Sequence, residues 1–280
     1  MKILITLILF NCSLVFAKEI SFENKKKLTL SELKRTYKVH KVEVYNFSTR
    51  SFEYYNAFSM NEILNAVYPD KKWRNSPYIK VLTTTGYEPM IEGYKFKERK
   101  SFLAFERSDK RPFTTMSGYR DVVSNLGPFY LIWKEDYKDK AAIRRDHWPF
   151  MITGFKLQDN PNPKFIPTNA DSSNISWGYK NFIKQCIACH SIDGFGSEKD
   201  GELISNGKID KFTDEYLIKF ISDPKSVKKD SKMDPFPLKI DLRKKRIVDT
   251  VKYLRHISLK HKKNYRDSKS KSLNKIMDGI

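Results

Sequence analysis

The proline-rich stretch QDNPNPKFIPTNADSSN, residues 158–174, does most to limit how this chain folds. Pro161, Pro163 and Pro167 each lack an amide donor and hold φ near one value, so neither a helix interior nor a central strand can run through them. The asparagines and serines around them favour turns. The segment is therefore expected to be a linker dividing a front part, residues 18–157, from a rear part, residues 175–257. A chain of 280 residues has room for about two ordinary domains, which agrees with that division.

The front part reads as strands. HKVEVYNF alternates, SFEYYN follows a turn, and YIKVLTTTGYEPMI gives a strand, a turn at Gly86 and a second strand. SFLAFER, GPFYLIW and WPFMITGFKL add three β-branched and aromatic runs. One helix interrupts them, with Ser59 and Glu62 as a capping box ahead of Ile63, Leu64 and Val67. The rear part reads as helices: WGYKNFIKQCIACH, then TDEYLIKFISDP capped by Thr213, then RIVDTVKYLRHI with Ile247, Val251 and Leu254 on one face. From Ser258 to residue 280 the chain is polar and basic, and a disordered tail is expected. The fold class expected is multidomain α+β, a β-rich domain followed by an all-α one.

Before both lies MKILITLILFNCSLVFA, with an early lysine, an apolar run and a small residue at Ala17. It reads as a signal peptide, residues 1–17, and predicts export to the periplasm. An uncleaved signal would leave a membrane anchor, and a lipid on Cys12 is disfavoured by bulky Phe10 and Asn11 before it. The net charge of +20 attracts anions at long range. Export and the lack of a nucleic-acid-binding motif argue against nucleic acid. Acidic partner proteins or an anionic membrane surface are the expected contacts.

Of three cysteines, Cys12 belongs to the signal, leaving Cys186 and Cys189. No disulfide framework can be built from one such pair. Three uses of CIACH stand open: a redox disulfide, half a zinc site, or a haem anchor. A thioredoxin-like disulfide needs a strand before the motif, where an aromatic amphipathic helix stands instead. Zinc needs about four ligands, and no second cysteine pair exists. A haem c needs two thiols one turn apart for thioethers and a histidine directly behind them. Cys186 and Cys189 as attachment points and His190 as proximal ligand meet that demand.

Residues 175–257 resemble the class I monohaem cytochromes c. Gly178 and Phe182 match the glycine and aromatic of the family's first helix, and Tyr253-Leu254 matches the pair it crosses on the last. The likeness implies one covalent haem c and a distal ligand from a proline-braced loop. Met233 in SKMDPFP, followed by Pro235 and Pro237, takes that place, with Met277, His256 and His261 as competitors. Relatives often carry Gly-Pro after the anchor, where this chain has Gly201-Glu202, so the acceptor of the His190 ring proton is left unassigned.

The order of strands over residues 38–157 resembles, less specifically, the molybdopterin-binding domain of the sulfite oxidase type. That family binds molybdenum through a cysteine thiolate, and residues 18–157 contain no cysteine. A cofactor-free docking module is therefore expected. Its candidate polar groups are Arg99, Arg107, Arg111, Arg120, Arg144, Arg145, His40 and His147, with Arg107 and Arg111 as an anion grip. The function expected is one-electron transfer by an exported monohaem protein. The rivals are an enzyme whose front half binds a molybdopterin and feeds the haem, and a haem-based sensor.

Overall fold

The computed structural model of the chain describes residues 18–23, 26–46, 51–98, 100–116, 122–123, 125–134 and 148–277. The signal segment and five of the candidates, Arg99, Arg120, Arg144, Arg145 and His147, lie outside them. The chain opens with β1 (Glu19–Phe22), β2 (Lys26–Thr29), α1 (Leu30–Thr36), β3 (His40–Asn46), β4 (Ser51–Ser59) and α2 (Met60–Val67). Next come β5 (Tyr78–Thr83), β6 (Met90–Glu92), α3 (Gly93–Glu98), β7 (Ser101–Arg107), β8 (Thr115–Met116) and β9 (Val122–Val123). Strands β10 (Tyr130–Trp133) and β11 (Ile152–Gln158) complete the front part. The rear holds α4 (Ser173–Gln185), β12 (Ser191–Ile192), β13 (Phe195–Gly196), α5 (Asp214–Ser222), α6 (Pro224–Val227) and α7 (Arg243–Met277).

Two sheets form the front. One runs β2-β1-β11-β5-β6 and the other β10-β7-β4-β3. Only the β1–β11 pairing in these sheets is parallel. Ile20, Phe22, Ile79, Val81 and Phe155 of the first sheet meet Phe58, Leu103, Phe105 and Leu131 of the second in one apolar cluster. Leu33, Ile63, Leu64 and Phe96 bring α1, α2 and α3 onto it.

The alternation in β5 decides how the rear attaches. Ile79 and Val81 point into the front cluster, while Tyr78 packs on the rear one. Strand β6 divides likewise, with Ile91 in front and Met90 behind. A strand apolar on both faces must be covered on both. The rear cluster supplies the second cover with Phe182, Ile187, Phe195, Ile247, Val251 and Tyr253.

This corrects the expected fold class. Among the described residues the chain is mixed α/β: α1, α2 and α3 stand among the front strands, and β12–β13 stands among the rear helices. No distinct all-α cytochrome domain is evident at the C-terminus, because Tyr78 and Met90 of the front sheet complete the rear core. The proline-rich segment packs as well. A 3-10 turn at Pro163–Phe165 buries Phe165 in the rear cluster, and the Tyr253 hydroxyl donates to the Phe165 carbonyl at 3.0 Å. Helix α7 continues to Met277, past Ser258, where a disordered tail is expected. Lysine and arginine are good helix formers, so a polar composition does not forbid it. None of the described helices is long and apolar enough to cross a membrane.

Candidate haem attachment site

Helix α4 ends at Gln185, and the turn after it carries the cysteine pair. Cys186 N–H still reaches the Phe182 carbonyl at 2.9 Å, and the Cys186 carbonyl accepts from Cys189 N–H at 3.0 Å and His190 N–H at 2.9 Å. Both thiols and the imidazole thus leave one tight turn. The thiols are free and half-buried. Burial pushes Cys186 up to about 12 and Cys189 up to about 11. A reactive redox thiol needs the opposite shift, toward the thiolate.

The segment after the turn folds back on it. β12 and β13 pair across Asp193 and Gly194, returning Gly196 to the His190 carbonyl. A Cβ on Gly196 would lie 2.2 Å from that oxygen, and its φ of +124° belongs to glycine. The Ser197 N–H donates to the Ile187 and His190 carbonyls at 3.0 and 3.2 Å. His190 Nδ1 faces the Gly201 carbonyl at 3.4 Å, and burial lowers the imidazole pKa. The Glu202 carboxylate accepts from the N–H groups of Gly194, Ile204 and Ser205 at 3.3, 2.9 and 3.3 Å. It pins the loop where a proline is absent.

Met233 is half-buried on the rear cluster, its N–H donating to Ser231 Oγ at 3.3 Å. Its loop is held at both ends. Phe236 is buried and its N–H reaches the Ile221 carbonyl at 3.0 Å. The Arg243 guanidinium donates to the carbonyls of Phe236, Pro237 and Ser222 and to Ser222 Oγ. That fork ties the Met233 loop to the end of α5, and no sequence spacing pointed to it.

The front sheet reaches the same place. Glu88 N–H donates to the carbonyl of Ala188, which stands between the two cysteines, at 2.8 Å. Burial raises the Tyr87 phenol, with Cys189 and Asp234 as lesser causes. The cysteine turn, the Met233 loop and the β5–β6 hairpin share one apolar cluster through Cys186, Met233 and Met90.

The other candidates lie elsewhere. His256 Nε2 is 3.0 Å from the Asp171 carboxylate. His261 is half-buried, and the Met277 side chain is outside the described residues. His40 stacks edge-on against Phe102. Arg107 pairs with Glu53 at 2.7 Å and with Asp109 at 2.8 Å, and Arg111 pairs with Asp109 at 2.7 Å. Those carboxylates already neutralise the pair expected to grip an anion. Among the described residues, no cluster of three or more His, Cys, Asp or Glu side chains could hold a metal ion. No protein-family model and no curated protein matches this chain.

Proposed function

We propose that this chain carries one haem c, attached through Cys186 and Cys189, and passes single electrons as an exported protein. The observation that carries this reading is the turn itself. Two free thiols leave it beside a histidine whose Nδ1 is turned to a backbone carbonyl, and the Met233 loop packs on the same apolar cluster. The donor set fits a haem. A ligating histidine gives its second N–H to a carbonyl or carboxylate, and the Gly201 carbonyl is placed for that. His190 Nε2 and the Met233 sulfur are the groups that would hold the iron.

Bound there, the haem would supply a one-electron iron couple, the chemistry belonging to the cofactor. The protein's part is to hold the thioethers, exclude water with Ile187, Phe195, Ile221 and Phe236, and favour the reduced iron through a thioether ligand. With both His190 and Met233 bound, the iron would have no free position for a substrate, which favours transfer over catalysis. The front part serves as the docking module, and the net charge of +20 favours acidic redox partners or an anionic surface over neutral ones.

The test is a denaturing gel of protein purified from the exported fraction. Haem is expected to stay on the chain, to be lost in Cys186→Ser/Cys189→Ser, and to remain in Met233→Leu. The last variant should lose the far-red sulfur–iron band, bind carbon monoxide and show a lower midpoint potential. A colourless wild-type protein, or pigment that organic acid extracts, would overturn the proposal.

A further inference from the structure

Helix α4 stops at Gln185, so the carbonyls of the turn beyond it have no helical donor. The Ala188 carbonyl takes its donor from the front sheet, the N–H of Glu88. On the next segment the Gly196 carbonyl accepts from Lys80 Nζ at 3.0 Å. Lys80 also pairs with the Glu88 carboxylate at 2.5 Å, and the two side chains are 15% and 24% exposed. Ser197 Oγ closes a third link by donating to the Gly86 carbonyl at 2.7 Å. The hairpin that makes these contacts is itself stiff, because Thr83 Oγ1 donates to the Tyr87 carbonyl at 2.8 Å. Tyr78 adds an edge-on contact with Phe195 across 6.0 Å.

The geometry points to Lys80 and Glu88 as positioning residues of the haem site: the β5–β6 hairpin is a clamp on both limbs of the attachment turn, and the pair's charges act on the iron. This rests on the haem reading above. One limb is the residue between the two thioether positions, and the other is the glycine whose backbone packs on the His190 carbonyl. A half-buried pair with one acceptor in each limb resists their separation. Since the pair is screened from water far less than a surface pair, removing one partner leaves a net charge beside the site. Loss of Lys80 leaves a negative carboxylate, which stabilises the oxidised iron. Loss of the Glu88 charge leaves an ammonium, which stabilises the reduced iron.

The clamp is tested by amide hydrogen exchange and redox titration of Lys80→Met, Glu88→Gln and Lys80→Arg, with exposed Lys239→Met as control. In Lys80→Met the amides of Glu88 and Ser197 should exchange on the order of tenfold faster, the factor of one lost charge-assisted bond. Its midpoint potential should fall, that of Glu88→Gln should rise, and Lys80→Arg should restore both exchange and potential. Lys239→Met should leave the exchange unchanged. Equal exchange in Lys80→Met and wild type, or potentials moving the same way in both charge variants, would overturn the inference. If Lys80→Met does not fold, exchange and potential in Glu88→Gln decide. Should the wild-type protein carry no covalent haem, the function proposed above fails, and exchange alone decides whether the hairpin clamps the turn.

Discussion

Replacing Gly178 with alanine sets two known effects against each other. Gly178 lies where α4 crosses α7, and a Cβ built on it would stand 2.0 Å from the Asp249 carbonyl oxygen and 2.6 Å from Tyr253 Cβ. Neither partner is the tip of a flexible chain. Ordinary contact would require the helices to part by about 1 Å, and interiors packed at crystal density resist that. The contact is central to the rear core, where Phe182 and Tyr179 face the Tyr253 ring at 5.8 and 5.5 Å. Overpacking of this kind costs about 1–3 kcal/mol, and more where backbone must move. In an open helix the same change would gain about 1 kcal/mol, because glycine is the poorer helix former. The expected net effect is a loss of about 2 kcal/mol. Urea unfolding followed by far-UV circular dichroism measures it, with the denaturant slope showing whether the unfolded state has changed. A Gly178→Ala protein equal to or more stable than wild type would mean that the helices do not meet at this residue.

Arg243→Met removes every bond from the guanidinium to Ser222, Phe236 and Pro237. It should cost about 2–4 kcal/mol, more than one hydrogen bond to a charged donor, and unchanged urea unfolding would count against the fork as the anchor of the Met233 loop. Asp171 is held below the usual aspartate range first by the Thr168 N–H and then by the Thr168 hydroxyl, His256 and Lys260. A lowered folded-state value stabilises above the unfolded-state pKa and is lost as pH falls through the folded one. Asp171→Asn should therefore unfold at lower urea than wild type at neutral pH, with the gap closing in acid; a gap constant from neutral to acid pH would refute this.

Much of the secondary structure was legible because its signals are local. Alternation marked β3, turns and β-branched or aromatic runs marked β4, β5 and β7, and Ser59 and Thr213 marked the starts of α2 and α5, each accepting an N–H from three residues on. The close approach at Gly178 was implied only by the family resemblance, and glycine suits it because it removes the side chain where two backbones meet. The join between the two parts was not. In YIKVLT nothing tells which face Tyr78 and Lys80 take, since polar ends suit solvent as well as a second layer; that face packs against the rear cluster and the Gly196 carbonyl. Phe165 was hidden differently, by prolines that speak against a helix or strand but say nothing about burial.

The site divides along the same line. Cys186, Cys189 and His190 could be read from spacing because one turn holds all three. What braces that turn and the Met233 loop lies far off in the chain: Lys80 and Glu88 about a hundred residues before the turn, Arg243 more than fifty after it. Each acts by donating to a backbone carbonyl, and any residue offers one, so no side-chain identity at the receiving end betrays the partner. A sequence pattern can reveal a set of side chains that one local geometry requires. It is blind to contacts whose acceptor is anonymous, and here those contacts hold both the cysteine turn and the Met233 loop.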